Sequence, residues 1–342
     1  MDSSAGYSVA IVGATGAVGE ALLEILQERN FPVSQLYLLA SERSAGKRLQ
    51  FHGKSVQVQR LDEFDFSRAQ IGLFSAGGTL SAEYAPKAAA AGCVVIDNTS
   101  HFRYDADIPL VVPEVNPQCV ADFKPRNIIA NPNCSTIQMV VALKPIQDAV
   151  GIKRINVATY QAVSGAGASG ISELAGQTAN LLNAKPIEPS TMPVQIAFNA
   201  IPQIGAFQDN GYTMEEMKMV WETQKIFGDE TITVNPTCVR IPVFYGHSEA
   251  VHIETAEPIT AAEVERLLAK ASGVKVMKEE KYPTPVTESA GTDPVFVGRI
   301  RDDISHPNGI NLWVVSDNVR KGAALNSVQI AELLVAQELL TN

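Results

Sequence analysis

The chain has 342 residues, of which 46% are hydrophobic, and its formal net charge is −10. This length suggests about two domains, and the acidic balance argues against a nucleic-acid partner, because a phosphate backbone requires a basic surface. No apolar run reaches the ~18 residues that a membrane helix needs, and the N-terminal stretch lacks a signal-peptide pattern. We therefore expect a cytoplasmic protein that neither enters a membrane nor binds nucleic acid.

The first third of the chain alternates strand-like and helix-like segments. Ser8–Val12 is an apolar run ending at Gly13, Ala17–Arg29 has apolar residues at helical spacing, and Leu36–Ala40 is again strand-like. A helix is expected at 82–91. Further short apolar runs, each ending in turn residues, are Ile71–Phe74, Val94–Ile96 and Ile128–Ala130. This alternation predicts a doubly wound, Rossmann-type α/β domain.

After Cys134 the segments become longer, and several alternate apolar and polar residues as a half-exposed antiparallel sheet does. The strand-like segments are Ile155–Val163, Thr231–Ile241, Glu249–Glu254, Val295–Ile300 and Ile310–Ser316. The helix-like segments are Ile171–Leu182, Met214–Phe227, Ala261–Ala271 and an amphipathic last one, Ala323–Leu340. They predict a second, α+β domain at 134–319 with a mixed, largely antiparallel sheet. The last helix is expected to return to the first domain, giving it residues 1–133 plus 320–342.

Three glycines lie between the first strand and the first helix. Gly13, Gly16 and Gly19 have a G-x-x-G-x-x-G spacing, a variant of the dinucleotide-binding G-x-G-x-x-G motif. Glycine lets the backbone approach a pyrophosphate, and the helix N-terminus then offers free N–H groups. The alternative is a tight strand-to-helix turn without a ligand.

The loop after the second strand bears on the choice of cofactor. It reads Ser41-Glu42-Arg43-Ser44, and an arginine at this place suits a ribose 2′-phosphate because its guanidinium matches phosphate oxygens. Glu42 would oppose this if it pointed inward, and a merely solvated loop is the other interpretation. The loop favours NADP over NAD.

Cys134 follows an apolar run and precedes a helix-like stretch, Ile137–Asp148. This places it at a helix N-terminus beyond the carboxyl end of a strand, where open α/β sheets bind ligands and where a thiolate is favoured. Cys93, Cys119 and Cys238 are expected to be small buried hydrophobes. The cysteines and histidines show neither a CxxC pair nor metal-ligand spacing, so we expect no disulfide and no metal.

Taken together, nine ordered segments give the chain a resemblance to the aspartate-semialdehyde dehydrogenase family over nearly its whole length. Those around the first glycine loop, the cofactor loop and the cysteine are Gly13–Gly19, Ser41–Gly46, Leu110–Asn116 and Asn131–Thr136. The later ones are Tyr160–Gly167, Glu215–Lys218, Cys238–Pro242, His247–Glu249 and Ser316–Gly322.

The resemblance implies covalent chemistry on an aldehyde. By position, Cys134 is the nucleophile that forms a hemithioacetal and then a thioester, which inorganic phosphate cleaves to an acyl phosphate. His247 is the general acid/base, and Gln161 orients the substrate beside the cysteine. The other histidines fit exposed or core positions better. The family implies a place in lysine, methionine, threonine and isoleucine biosynthesis, with flux towards the aldehyde.

The resemblance also implies how the charged substrate is held. Arg240 matches the arginine that binds the substrate carboxylate in a fork, and Glu215 matches the partner of its amino group. Lys218 and Arg103 match phosphate binders, assisted by Asn133. The alternatives are a surface salt bridge for Glu215 and Lys218, which share a helix face, and an arginine whose head reaches solvent for Arg240.

The predicted cofactor contacts lie in both predicted domains; some come from the glycine loop and the Arg43 loop, and the others are implied by the resemblance. They are Gly13, Thr15, Gly16, Ala17, Val18, Ser41, Arg43, Ser44, Ser75, Gly77, Ser164, Gly165 and Asn318. For the glycine-rich run that begins at Gly165, a plain flexible loop is the alternative. By the same resemblance, residues 134–319 form a catalytic and dimerisation domain, and we expect a homodimer whose partners are a small-molecule substrate and inorganic phosphate.

Two other functions remain compatible with the sequence alone. An N-acetyl-gamma-glutamyl-phosphate reductase shares the fold and the cysteine chemistry, as phosphorylating glyceraldehyde dehydrogenases do more distantly, and the pattern at Arg240 and Glu215 argues against both. A non-catalytic paralogue is the alternative from a different class. It would be expected to lose the cysteine, its base or the substrate cations, all of which this chain has.

Overall fold

The structure, a computed structural model, describes residues 6–278 and 280–340 and divides into two compact units. The first unit comprises Met1–Pro132 and Ala323–Asn342, and the second comprises Asn133–Gly322. Each unit contains one sheet with helices packed on it. This arrangement, a Rossmann-type unit and an α+β unit with a mixed sheet, confirms the predicted fold class.

The first unit is built on a seven-stranded sheet of order β3-β4-β2-β1-β5-β6-β7, in which only the β3–β4 pair is antiparallel. The elements are β1 (Tyr7–Val12), α1 (Ala17–Glu28), β2 (Val33–Ala40), β3 (Arg48–Phe51), β4 (Lys54–Arg60), β5 (Ile71–Phe74), α2 (Gly78–Ala90), β6 (Val94–Asp97) and β7 (Ile128–Ala130). Strands β1, β5 and β6 are almost wholly buried, because helices cover a parallel sheet on both faces.

Strands β3 and β4 were not predicted from the sequence. These strands form a hairpin at one edge of the sheet, turning at His52 and Gly53, which both have positive φ. Most of their side chains are polar and exposed, so no apolar run marks them. Each strand does alternate, with Leu49 and Phe51 in β3 and Val56 and Val58 in β4, but two apolar residues per strand give only a short signal.

The second unit contains a six-stranded sheet of order β11-β12-β13-β10-β8-β9, with parallel β11–β12 and β8–β9 pairs and antiparallel pairs between them. The elements are α3 (Cys134–Val150), β8 (Ile152–Gln161), α4 (Gly167–Leu182), α5 (Met214–Phe227), β9 (Thr233–Arg240), β10 (His247–Thr255), α6 (Ala261–Leu268), β11 (Val274–Val276), β12 (Val295–Asp302) and β13 (Gly309–Ser316). The short strand β11 was not predicted, since three residues carry too little pattern.

The last helix, α7 (Leu325–Ala336), belongs to the first unit and contacts α1 and β6. The prediction of a simply amphipathic helix was wrong, because its first turn buries polar side chains as well as apolar ones. Asn326 donates hydrogen bonds to the Val111 carbonyl (3.0 Å) and to the Asn131 side-chain oxygen (2.7 Å), which satisfies the buried amide.

Strand register in the second unit brings chemically active residues to one end of the sheet. Gln161 ends β8 opposite Arg240, which ends the parallel neighbour β9. His247 begins the antiparallel strand β10 opposite Ser316, the last residue of β13. Residues paired in register project to the same face of a sheet, so the end of β8 and β9 and the start of β10 form one row of polar side chains.

Candidate active site

The glycine loop of the first unit is shaped for close approach of a ligand. Gly13 has a φ of +87°, and its N–H donates to the Leu39 carbonyl at 2.9 Å. A Cβ at Gly19 would lie 2.3 Å from the Gly13 carbonyl oxygen, so α1 packs against the loop only because this residue is glycine. Gly16 precedes α1 without a side-chain cap, which leaves first-turn N–H groups for an anion.

The other predicted cofactor residues of this unit lie at the carboxyl ends of neighbouring parallel strands. Ser75 follows β5, and its hydroxyl donates to the Val12 carbonyl at the end of β1 (3.0 Å). Gly77, with a φ of +94°, precedes α2, again without a side-chain cap. Thr15, Ala17 and Val18 are partly exposed around the start of α1.

The loop after β2 contains a charge arrangement that the sequence did not reveal. Ser41 and Arg43 are exposed and Ser44 is buried. The Glu42 carboxylate pairs with the Arg60 guanidinium at 3.1 Å. Arg60 ends β4, opposite Ala40 of β2, so recognising β4 would have pointed to this cation.

Arg103 lies in the first unit, whereas the other predicted substrate and phosphate residues lie in the second. Its side chain is buried, and its Nη2 donates to the Asn98 carbonyl at 2.9 Å.

Cys134 is the first residue of α3, as the sequence predicted. Asn133 caps this helix by accepting the N–H groups of Ser135 (3.0 Å) and Thr136 (3.2 Å) on its side-chain oxygen. Cys134 is partly exposed. A Cβ at position 322 would lie only 2.7 Å from the Cys134 Cβ, so the absence of a side chain at Gly322 leaves space for the cysteine.

The other three cysteines differ from Cys134 in their surroundings. Cys93 and Cys238 are buried, and burial raises the pKa of both thiols, that of Cys93 to about 12. Cys119 is half-buried, and partial burial raises its pKa as well. These thiols are therefore unreactive at neutral pH.

Glu215 is the centre of a buried hydrogen-bond cluster. One carboxylate oxygen accepts from the side-chain amides of Asn133 (2.8 Å) and Gln161 (3.0 Å), and the other pairs with Lys218 at 3.0 Å. Burial by itself would raise the pKa of Glu215, but the Lys218 ammonium and the two amides lower it to about 2. The cluster therefore joins four of the predicted residues around one ionised carboxylate, and Glu215–Lys218 is not an ordinary surface salt bridge.

Arg240 and His247 are both buried and lie close together. A Cβ at Gly165 would be 2.9 Å from Arg240 Nη1 and 3.4 Å from His247 Nε2, so this glycine keeps both groups accessible. Arg240 Nη1 donates to the Ala162 carbonyl at 2.6 Å, and the side chain does not extend to solvent. Burial lowers the pKa of Arg240, and the charges of Glu215 and Cys134 partly oppose this.

The hydrogen bonds of His247 define its protonation state. Its Nδ1 accepts the Ala162 N–H at 3.0 Å, and its Nε2 has no partner among the described residues. Burial and the charge of Arg240 lower the pKa of His247 to about 3. A neutral imidazole whose Nδ1 accepts must carry its proton on Nε2, so His247 presents an N–H donor.

Two more predicted residues meet within the second unit. Ser164 and Asn318 exchange hydrogen bonds through their side chains, at 2.9 and 3.1 Å, and the Asn318 side-chain oxygen also accepts the Gly246 N–H at 2.9 Å. Asn318 thereby connects the loop after β8 to the turn that precedes His247.

Two further glutamates that the sequence analysis did not single out hold this site in place. The Glu222 carboxylate accepts the backbone N–H of Asn133 at 2.6 Å. Glu216 forms a capping box with Thr213 at the start of α5 and accepts the Cys238 N–H at 3.0 Å. The spacing of Thr213 and Glu216 is a capping-box signature, whereas no local signal marks Glu222.

The first unit contains a dinucleotide-binding loop. The second contains a thiol, an imidazole N–H donor and a guanidinium. These groups are those of an oxidoreductase that uses a nicotinamide cofactor and a cysteine. No helix among the described residues is long and apolar enough to cross a bilayer.

Comparisons with known proteins give the same class. Two family models match, "Semialdehyde dehydrogenase, NAD binding domain" at residues 8–123 and "Semialdehyde dehydrogenase, dimerisation domain" at 143–321. Aspartate-semialdehyde dehydrogenase 2 of Vibrio cholerae is 69% identical over 329 residues, covering 96% of this chain and 98% of that protein. Aspartate-semialdehyde dehydrogenase of Bacillus subtilis is 53% identical, covering 96% and 97%.

Solved structures show the same relationship. The crystal structure of Vibrio cholerae aspartate semialdehyde dehydrogenase II complexed with ASA has a TM-score of 0.97 at 68% identity, covering 97% of this chain and 99% of that one. The Candida albicans enzyme with NADP has a TM-score of 0.76 at 25% identity, covering 98% and 100%. The chain belongs to the aspartate-semialdehyde dehydrogenase family, and it is an oxidoreductase with a dinucleotide-binding domain.

Proposed function

We propose that Cys134 is the nucleophile through which this enzyme interconverts L-aspartate 4-semialdehyde and L-4-aspartyl phosphate, a step in lysine, methionine, threonine and isoleucine biosynthesis. The observation that carries the proposal is that Cys134, which is partly exposed, is the first residue of α3. A helix N-terminus stabilises a thiolate, and Arg240 is proposed to add to this effect with its guanidinium. His247 lies next to Arg240.

The reaction needs a sulfur nucleophile that is also a leaving group. The Cys134 thiolate attacks the aldehyde carbon, and the carbonyl oxygen takes up a proton to give a hemithioacetal. NADP, when bound, supplies the acceptor for the hydride of that carbon. As the hydride leaves, the hemithioacetal oxygen returns its proton to the group that donated it, and the acyl group becomes a thioester on Cys134. Attack by a phosphate oxygen then breaks the C–S bond and returns the thiolate.

His247 acts on the substrate oxygen in this scheme. Its Nε2–H stabilises negative charge on the carbonyl oxygen as the sulfur adds, in the manner of an oxyanion donor. To act also as the general acid/base, Nδ1 must release the Ala162 N–H, because a second proton on the ring would occupy that nitrogen. Hydrogen-bond donation is therefore the first role that this geometry supports.

The charged groups of the substrate have complementary partners in the second unit. Arg240 is proposed to bind the carboxylate and Glu215 the ammonium group, with Gln161 orienting the substrate. Because Glu215 already pairs with Lys218, the incoming ammonium competes for the same carboxylate. Lys218 is then released towards phosphate, for which Arg103 and Asn133 are the other proposed partners.

The chain's own residues fit a dinucleotide. The absent Cβ atoms at Gly13 and Gly19 leave main-chain space and N–H groups for a pyrophosphate. Gly16, Thr15, Ala17 and Val18 are proposed to contact the pyrophosphate, and Ser41, Arg43 and Ser44 the 2′-phosphate. Ser75, Gly77, Ser164, Gly165 and Asn318 complete the proposed contacts.

Two broader proposals concern the whole chain. Residues 1–133 with 320–342 form the NADP-binding domain, and 134–319 form the catalytic and dimerisation domain. A cytoplasmic homodimer is proposed. On the second sheet the side chains of Ala250, His252 and Trp313 are exposed or half-buried, whereas the alternate side chains of β10 are buried, so this face is available to a second copy. Light scattering of the purified protein measures the oligomer.

The decisive experiment compares the wild type with Cys134→Ser. Wild type is expected to convert aspartate semialdehyde, phosphate and NADP to NADPH. Cys134→Ser should lose more than about 10³-fold in kcat and keep NADP affinity, measured by fluorescence titration. Turnover of acetylglutamate semialdehyde with none of aspartate semialdehyde would overturn the substrate, and near wild-type activity in the variant would exclude the thioester.

A further inference from the structure

The connection between α4 and α5, residues 183–213, contains neither helix nor strand. A connection of this length without secondary structure is uncommon in a compact domain and is usually either functional or disordered. This one runs beside two residues of the proposed substrate site. Ile201 exchanges backbone hydrogen bonds with Arg240, at 2.9 and 2.8 Å, and the Ile204 carbonyl accepts the Glu215 N–H at 3.4 Å. The path of the connection therefore affects where both charged residues lie.

The hydrogen bonds to Arg240 are made at an edge of the second sheet. Strand β9 is the last strand in the sheet order, and its pairing with β8 brings Gln161 opposite Arg240 on one side. On the other side, Ile201 pairs with Arg240 as an isolated antiparallel bridge. The backbone of Arg240 is thus held on both sides, and one side depends on a segment that has no strand of its own.

Glu173 of α4 holds the connection at one point. Its carboxylate accepts the backbone N–H groups of residues 190–192, at 3.1, 2.6 and 3.1 Å, and the Ser190 hydroxyl at 3.2 Å. The side chain is buried, and burial by itself would raise its pKa, but these N–H groups lower it. Glu173 is therefore an ionised carboxylate at neutral pH, bonded to the connection through its own donors.

Gln177 holds the connection at a second point, one helical turn further on. Its side-chain oxygen accepts the N–H groups of Ile196 (2.9 Å) and Ala197 (3.1 Å), and its amide nitrogen donates to Glu173 at 2.8 Å. Residues four apart lie on one face of a helix, so the two side chains form a single buried pair that faces the connection. Every polar side-chain atom of the pair has a partner, as buried polar groups require.

Apolar packing leads from this pair to Arg240. Met192, Ile196 and Ile201 of the connection form a buried cluster with Leu174 of α4. The first two are bonded to the pair through their backbone N–H groups, and the third is the residue that pairs with Arg240. Because protein interiors are densely packed, a displacement at one end of such a cluster is transmitted to the other.

We propose that Glu173 and Gln177 are positioning residues for Arg240: they fix the connection so that Ile201 pairs with the edge of β9 and sets the place of the guanidinium. This role rests on the proposed function, because it assumes that Arg240 binds the substrate carboxylate. Loss of the pair should therefore weaken binding of the substrate and leave cofactor binding unchanged.

Hydrogen exchange of the whole enzyme, measured by mass spectrometry, tests the positioning without turnover. In Glu173→Ala, exchange should be about 10-fold or more faster in peptides covering 190–201 and at the Arg240 N–H, which donates to the Ile201 carbonyl. Glu188→Ala, at an exposed glutamate of the same connection, is the matched control and should exchange like wild type. Faster exchange at 190–197 with the Arg240 N–H unchanged would overturn the proposal.

Steady-state kinetics separate positioning from a general loss of structure. Glu173→Ala and Gln177→Leu should each raise the KM for aspartate semialdehyde about 10-fold or more, while kcat and the KM for NADP change less than about threefold. Glu173→Gln should show a smaller rise, because its amide oxygen can still accept two of the N–H groups. A lower kcat with every KM unchanged would indicate a purely structural role and would contradict the proposal.

The isosteric variant also covers the risk that the larger change prevents folding. If Glu173→Ala does not fold, Glu173→Gln and Gln177→Leu decide both measurements, with the same direction of change expected. A wild type inactive on aspartate semialdehyde would refute the proposed function, whereas the exchange rate of the Arg240 N–H would still show whether the pair holds that part of the backbone.

Discussion

The two units present different chemical groups to their ligands. The first offers main-chain N–H groups and open space at Gly13, Gly16 and Gly19. The second offers buried charged side chains, among them Glu215 and Arg240. We therefore expect the first unit to be sensitive to added atoms and the second to altered side-chain chemistry.

The largest effect should come from His247, where two amide variants separate its possible roles. Gln places an N–H donor near the Nε2 position, whereas Asn mimics Nδ1 and can only keep the Ala162 contact. If donation dominates, kcat should fall about 10-fold in His247→Gln and about 10³-fold in His247→Asn. Steady-state kinetics at several pH values measure both.

The opposite result would be equally informative. Equal, severe losses in both variants would show that proton transfer by the ring is indispensable, since neither amide can shuttle a proton. NADP binding serves as the control and should be unchanged in both variants.

In the first unit, Gly19→Ala is the sharpest test. The new Cβ would lie 2.3 Å from the Gly13 carbonyl oxygen, whereas at Gly16 the nearest contact would be an ordinary 3.4 Å. Gly19→Ala should cost about 1–3 kcal/mol of stability and weaken NADP binding about 10-fold or more. The unfolding free energy of Gly16→Ala should lie within about 0.5 kcal/mol of the wild-type value. Equal unfolding free energies in urea for the two variants would show that the loop is not tightly packed.

A smaller effect is expected at the cofactor loop. Arg43→Ala should lower the NADP/NAD ratio of kcat/KM by about 10-fold, because the guanidinium matches the 2′-phosphate. Arg60→Ala is the matched comparison, since it frees Glu42 and should lower the same ratio through repulsion. Binding of 2′,5′-ADP, followed by calorimetry, checks the effect without turnover, and unchanged affinity in Arg43→Ala would remove that residue from the site.

Sequence patterns predicted this molecule well where a single element carries the signal. Cys134 at the start of α3 follows from an apolar run and a helical stretch, and helix α5 was predicted with the bounds that the structure shows. Patterns could not reveal Glu222 or the Arg60–Glu42 pair, because each depends on residues far apart in the chain. Glu249 lies in one of the segments that carry the family resemblance, but its burial without a hydrogen-bond partner among the described residues is a property of packing that no spacing encodes.

The smallest predicted effect concerns stability at acidic pH. It distinguishes the two residues of the second unit, His247 and Glu249, whose pKa values are shifted in opposite directions. His247 has a folded pKa near 3 against about 6.5 when unfolded, so only the unfolded chain takes up its proton in between. Its contribution to stability is fully present above pH 6.5 and declines as the pH falls. Glu249 has the opposite sign, since its raised pKa favours the folded state on acidification.

Between pH 7 and 5.5, His247→Gln should therefore lose less stability than wild type, by at most about 1.4 kcal/mol. Glu249→Gln should lose more than wild type over the same interval. Urea unfolding at fixed protein concentration measures both differences, and fixed concentration matters because a dimer's stability depends on it. If the unfolding free energies of wild type, His247→Gln and Glu249→Gln changed equally with pH, neither side chain would have a shifted pKa in the folded protein. His247 would then not be held neutral, and Glu249 would not be held protonated.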